Sequence, residues 1–223
     1  LAVVALASLV TFLQVEASHE TDDQIGDEAV WNASGEDLGA IAQACNNTEA
    51  ASYSTCFIEQ MGGYASSDAV AFTELLASQK SSRLGYLGGM REAGIVDLGY
   101  VVYPGKAPSN RGWVLMNGIP DLVNVDDLAL LPKGEMENDA QFIASRKNHP
   151  QLQISVADDQ RSPDSSPQVE RLAQGGERFV IPYSLQEPCP GCAPVARVSF
   201  GFDFDGGGKF LGVKFLSIAG GRP

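Results

Sequence analysis

An α+β fold, with N-terminal helices packed on a mainly antiparallel sheet and a closing C-terminal β-hairpin, is predicted from three observations in the 223 residues. Apolar residues recur at helical spacing between Ser34 and Gln79. From Ile95 onward the apolar runs are short, β-branched and aromatic, and Gly and Pro separate them. Near the end, Val198, Phe200, Phe202 and Phe204 alternate with Ser199, Gly201 and Asp203, the pattern of a strand with one buried and one wet face. Helices collected ahead of strands point to α+β architecture and away from repeated βαβ units.

The chain opens on a nearly uncharged apolar run over residues 1–13, followed by Val15-Glu16-Ala17 with small residues where a signal peptidase reads. This predicts a secretory signal peptide over residues 1–17. The run is shorter than the roughly 18–20 apolar residues that span a bilayer, so an uncleaved anchor is the alternative. No later segment is long and apolar enough to form a span. Residues 18–33 are polar, acidic and aperiodic and read as a flexible leader. A single domain over 34–223 follows, with a possible joint at 157–177.

Ser34 followed by Asp37 reads as a helix N-cap with an acid in the first turn. Leu38, Ile41, Ala42 and Cys45 then fall on one helical face, and after Asn46-Asn47-Thr48 the residues Tyr53, Cys56, Phe57 and Met61 form a second. The two make a helical hairpin closed by Gly62-Gly63. Ser67 caps a third helix carrying Ala69, Phe72, Leu75, Leu76 and Gln79. Residues 84–94 hold four glycines, each costing about 1 kcal/mol in a helix, and read as a weak helix at best. Strands are predicted at 95–103, ended by Pro104, and at 113–116, leading into the hairpin signal Asn117-Gly118. Pro120 weakens the return strand at 122–125. Asn138 caps a helix through Lys147, Leu152 to Val156 alternate as a strand, and 158–177 reads as a long surface loop. Strands at 179–185, 196–204 and 210–218 close the chain, the last two joined by Asp205-Gly206-Gly207-Gly208.

The formal charge of −13 favours solubility and repels phosphate backbones, which excludes nucleic acid as a natural partner. Four cysteines in an exported chain read as disulfides. Pairing Cys45 with Cys56 and Cys189 with Cys192 is the simplest of three arrangements. On one continuous helix Cys45 and Cys56 would stand about 16 Å apart, whereas a bridge needs Cα atoms about 4.4–6.8 Å apart. The chain must therefore turn between them. Zinc held by all four thiolates is a further option that an oxidising compartment disfavours.

Cys189-Pro190-Gly191-Cys192 is the one motif with chemistry attached. Prolines flank it and a strand follows it, so the helix N-terminus that activates a redox thiol is missing, and a structural bridge is the favoured reading. Asp203-x-Asp205 before three glycines lacks the later acids of a calcium loop and reads as a turn. The histidines, His19 and His149, sit beside no nucleophile. No hydrolase elbow, zinc-protease helix or phosphate loop is present, and no cofactor is expected. Asn32-Ala33-Ser34 and Asn46-Asn47-Thr48 match the glycosylation pattern. Trp113, Tyr100, Tyr103 and Asn117 are candidate ligand contacts, core packing being the ordinary role of strand aromatics.

Two blocks carry a resemblance: Gly94 to Pro104 continuing through Arg111 to Pro120 and Val125-Asp126-Asp127, and Cys189-x-x-Cys192 followed by Phe202-Asp-Phe-Asp205 and Gly208 to Gly212. Over residues 66–218 the chain resembles a recurrent type of exported bacterial domain without assigned activity. The terminal hairpin is also similar to the last strands of cystatin-like and NTF2-like folds. The resemblance implies export and supplies no catalytic residues. The reading is an exported, periplasmic or secreted, non-catalytic module that binds a small molecule, peptide or protein. The alternatives are a thiol–disulfide oxidoreductase using Cys189 and Cys192, and an NTF2-like acid–base enzyme.

Overall fold

The computed structural model describes residues 24–49, 52–79, 83–104, 111–156, 167–189 and 192–220. The predicted signal peptide and the start of the predicted leader lie outside these residues.

Local hydrogen bonding begins the helical part. Ser34 Oγ accepts from the Asp37 amide and Asp37 Oδ2 accepts from the Ser34 amide, both at 3.0 Å. This reciprocal capping box starts α1 (Gly35–Ala44). The chain turns back into α2 (Tyr53–Met61), and Cys45 bonds Cys56 across the turn with Cα atoms 5.9 Å apart. Ile41, Phe57 and Met61 pack with Trp31, Ala69 and Tyr86 into a small core of their own. α3 (Ser67–Ser78) is capped by Ser66, one residue before the predicted cap. The Ser66 hydroxyl also donates to the Glu28 carbonyl at 2.6 Å.

That last bond changes the reading of the leader. From Gln24 onward it is docked: Asp27–Ala29 form a 3-10 turn, and Ala29 and Trp31 are buried. The Trp31 amide donates to the Leu87 carbonyl at 2.8 Å. Ala29 and Trp31 enter the core while Ile25, Val30 and Ala33 pack partly buried against it.

A four-stranded meander follows, β1 (Tyr86–Arg91), β2 (Asp97–Val102), β3 (Arg111–Met116) and β4 (Leu122–Asn124), in that spatial order and antiparallel throughout. The weak helix expected at 84–94 is therefore a strand. Glycine disfavours helix, and the pairing with β2, with a bulge at Gly88, fixes the extended form. One face of this sheet carries Leu87, Val101, Val114, Met116 and Leu122 against Phe72 and Leu76 of α3. The other carries Leu98, Tyr100, Trp113, Leu115 and Val123 into a second core.

Two short helices follow β4. α4 (Lys133–Glu137) was not predicted, and α5 (Ala140–Asn148) is capped by Asp139 where Asn138 was expected. Asp139 Oδ1 accepts from the Gln141 and Phe142 amides at 2.8 and 3.3 Å.

The sequence reading expected one sheet, and the structure has two. The second contains β5 (Gln153–Val156), β6 (Gln168–Arg171), β7 (Gly176–Gln186), β8 (Ala196–Asp205) and β9 (Phe210–Gly220). β6 lies where a long loop was expected. β5 and β6 both pair with β7, at Tyr183–Gln186 and Glu177–Val180, and among the described residues Ile181 and Pro182 have no strand partner on that side. A proline inside a strand has no N–H to give, and the interruption of the flanking edge falls beside it. Phe179, Ile181 and Tyr183 of β7 and Val198, Phe200, Phe202 and Phe204 of β8 fill the inner side.

Two contacts lock the sheets together. Glu177 Oε2 accepts from the Ile95 and Val96 amides at 2.9 and 3.4 Å. In addition, the Ile119 amide donates to the Gly208 carbonyl and the Phe210 amide to the Ile119 carbonyl, both at 2.8 Å. This crossing needs Gly118, because a Cβ there would sit 2.7 Å from the Gly208 carbonyl oxygen. No described helix is long and apolar enough to cross a membrane.

Replacing Glu177 by Ala leaves two amides between the sheets without their acceptor. Bonds to a charged group contribute about 1.5–3 kcal/mol. Glu177→Ala is expected to lower unfolding free energy by about 2 kcal/mol in urea titration, while Glu135→Ala on exposed α4 stays within about 0.5 kcal/mol of wild type.

Candidate functional site

The solvent side of the second sheet carries an ordered charge cluster assembled by strand register. Glu170 of β6 pairs with Arg178 of β7, and Arg178 pairs with Asp203 of β8. Lys214 of β9 stands opposite Gly201. Arg178 Nε and its terminal Nη2 donate to the two Asp203 oxygens at 2.6 and 2.8 Å, a bidentate fork. Lys214 Nζ reaches Asp203 Oδ2 at 3.1 Å. The fork needs a glycine beneath it, since a Cβ on Gly201 would come within 2.7 Å of the Arg178 Cδ and Nε.

Asp203 is a carboxylate with 2% side-chain exposure. Burial pushes its pKa up, but the hydrogen bonds and charges of Arg178 and Lys214 outweigh that, and it lies below the ordinary carboxylate value. Around the cluster the same face presents Arg197, Ser199, Ser217 and Ala219, opposite one another in register and exposed or half-buried.

A second cluster lies at the strand connection after β7. Cys189 and Cys192 are bonded, with Cα atoms 5.5 Å apart, so both predicted pairings are present. Glu187 places a carboxylate oxygen within 4.8 Å of both sulfurs. His149, at the C-terminal end of α5, holds Nδ1 3.3 Å from Glu187 Oε1. The register brings them together, because β5 opens with Gln153 opposite Gln186 and so carries the residues just before it to the end of β7. β8, not a helix, follows the second cysteine.

The four candidate ligand contacts do not form one site. Tyr100 and Trp113 pack edge to face at 5.3 Å between the sheets and are buried. Tyr103 is buried on the opposite face, in the core beneath α3. Burial first, then the neighbouring Asp126 carboxylate, pushes its pKa well above the tyrosine norm. Arg83 lies 4.8 Å over the Tyr103 ring and Arg111 5.9 Å over Tyr100. The tyrosines thus support two exposed guanidinium groups. Asn117 sits at the other end of the sheet, at φ 63°. Its Oδ1 accepts from the Ile25 amide at 2.8 Å, and its Nδ2 donates to the Ile25 carbonyl at 3.0 Å and to Asp97 at 2.7 Å. It tethers the docked leader.

The glycine turn after β8 is closed by Asp205, whose Oδ1 accepts from the Gly207 and Lys209 amides, both at 2.9 Å. Those bonds hold its pKa below the usual range.

Sequence reasoning missed Arg178, Asp203, Glu187 and His149 as a functional set. Asp203 was visible as a polar residue between phenylalanines, an available signal, but its partner 25 residues earlier becomes visible only once β7 and β8 are paired. Compared with protein-family models, curated proteins and solved structures, the chain finds no match.

The lowered pKa of Asp203 sets the sign of a pH effect. A carboxylate depressed by folding stabilises above its unfolded pKa of about 3.9, and that stability is lost as pH falls through the lower folded value. Breaking a buried pair by removing one partner costs about 3–5 kcal/mol. Asp203→Asn is expected to destabilise the protein by about 3 kcal/mol at pH 7, with the gap from wild type narrowing below about pH 3.9. Urea midpoints measured across this range check it, and a gap independent of pH would remove the assignment.

Proposed function

We propose that this chain is an exported, non-catalytic binding module whose ligand surface is the open face of the second sheet, and that it takes an acidic segment of a protein partner. The observation that carries the reading is the local charge of that face. Arg178, Arg197 and Lys214 stand there against Glu170 and Asp203, in a chain whose overall charge is −13. Three strands of 11, 10 and 11 residues hold these groups on one platform. The Asp203 fork fixes the centre, so binding there carries little side-chain ordering cost.

Export is supported by the apolar N-terminal run and by two disulfides, which persist in oxidising compartments. The oxidoreductase alternative is weakened by the Glu187 carboxylate beside the sulfurs, since a nearby negative charge disfavours a thiolate. The acid–base enzyme needs a hollow behind the terminal strands, where Phe179, Tyr183, Phe200, Phe202 and Phe204 are packed at 0% exposure.

The test uses polyglutamate as the probe. Wild-type protein is expected to bind it with salt-weakened affinity, with amide shift changes in β7, β8 and β9. Arg197→Glu and Ser217→Glu are each expected to raise the dissociation constant at least tenfold. Equal binding by the variants, shifts confined to the Arg83 and Arg111 end, or enzymatic turnover on a hydrolase and oxidoreductase panel would overturn the reading.

A further inference from the structure

We infer that the cleft beside Glu177, where the two sheets meet, binds a free apolar α-amino acid, with Glu177 taking the ammonium group and Arg171 the carboxylate. The cleft lies on the inner side of the second sheet, so the inference does not rest on the open-face reading.

The inner row of β7 runs Tyr183, Ile181, Phe179 and then Glu177, and that of β6 runs Val169 and then Arg171. Register sets Arg171 opposite Glu177, so the apolar core gives way at this end to two opposite charges. They do not satisfy each other: among the described residues neither makes an ion pair. Glu177 is only 6% exposed. Its Oε2 takes both amide bonds that join the sheets, and its Oε1 has no hydrogen-bond partner among the described residues. A carboxylate has about four acceptor sites, and a buried one short of partners is costly. Glu177 and Arg171 line a cleft of about 230 Å³ together with Gly94, Ile95, Leu172 and Gly175. The glycines keep it open beside the carboxylate. A Cβ on Gly94 would fall on Glu177 Oε1, whereas nothing stands within 4 Å of the Cβ position on Gly175.

Each part of the cleft selects one part of the ligand. The buried carboxylate oxygen accepts from an ammonium group, a charge-assisted bond strengthened by its low-dielectric surroundings. Arg171 is exposed, and its guanidinium repels a ligand that carries the ammonium alone. A carboxylate beside that ammonium turns the repulsion into attraction, because the guanidinium fork matches carboxylate geometry. Ile95 is 39% exposed and Leu172 half-buried, which gives an apolar wall for the ligand's side chain. Drug-sized molecules occupy pockets of about 300–1,000 Å³, so this smaller volume suits a single amino acid better than a peptide.

The experiment titrates the whole chain with L-leucine, and separately with isoamylamine and isocaproate, which keep its apolar tail and one charge each. L-Leucine is expected to bind one molecule per chain, with saturable amide shifts at Ile95, Val96, Leu172 and Glu177 and none at Arg197 or Ser217 on the open face. Isoamylamine and isocaproate each bind at least tenfold more weakly. Glu177→Gln keeps an oxygen for the Ile95 and Val96 amides while removing the charge, and it raises the leucine dissociation constant at least tenfold. Arg171→Ala, a change at an exposed side chain, does the same. The amide spectrum shows that each variant is folded, and Arg171→Ala carries the test by itself should Glu177→Gln unfold. Absence of saturable shifts, shifts on the open face instead, isoamylamine or isocaproate binding as tightly as leucine, or leucine affinity unchanged in Arg171→Ala or in folded Glu177→Gln would each overturn the assignment.

Discussion

Burial of the phenylalanines on the inner side of β8 is the constraint on which the rest of the structure depends. Phe200, Phe202 and Phe204 are fully buried, and each is worth about 1.5–3 kcal/mol only if something dry covers it. A sheet cannot cover its own face. Tyr183 and Phe215 meet Phe200 edge on, Phe179 meets Phe204, and the first sheet supplies Leu98, Tyr100, Trp113 and Leu115 opposite. The polar groups trapped in that layer must also be satisfied. The Tyr183 hydroxyl donates to the Val125 carbonyl at 2.6 Å, and Glu177 accepts from the Ile95 and Val96 amides at the turn entering β2. These bonds do more than add stability, because they fix how one sheet sits on the other.

Covering the second sheet leaves the first with an unfinished problem. Its far face carries Leu87, Val101, Val114 and Met116, which α3 and the docked leader enclose. The Gln79 side chain at the end of α3 donates to the Leu122 carbonyl at 3.0 Å, tying helix to sheet. α1 and α2 stand further out, with 10 and 9 residues, below the length at which isolated helices hold themselves in water. Their bridge closes a loop of 11 residues, a closure worth about 3 kcal/mol in the chain-entropy account. The disulfide therefore sits where packing alone is weakest.

Much of this was legible because short-range signals do not depend on partners. The Ser34–Asp37 box, the apolar faces of α1 to α3, the alternation on β8 and the turn between β8 and β9 all act within a few residues. What failed depended on distance. Residues 84–94 looked too glycine-rich for more than a weak helix, yet β2 supplies the hydrogen bonds that make β1. The leader looked free, yet Trp31 has a core to enter and Asn117 a backbone to hold. The second sheet could not be separated from the first, since β7 pairs with strands both before and after it. Arg178 and Asp203 had no sequence relation that register did not create. The tyrosines nominated as ligand contacts lie beneath Arg83 and Arg111, a placement invisible until ring and guanidinium are positioned.

The same distinction between local and long-range order separates the two disulfides physically. Cys45 is buried in a small core, with Cys56 half-buried at its edge. Cys189 and Cys192 lie in a turn with the Glu187 carboxylate alongside, and the pairing of β5 with β7 brings the His149 imidazole to that carboxylate. A purely structural staple between β7 and β8 gains little from closing so few residues, because loop-closure entropy grows with loop length. The ten paired positions of β7 and β8 already fix their register. What the bridge adds to the corner is therefore less a constraint on the fold than a fixed position for two sulfurs beside the Glu187 carboxylate.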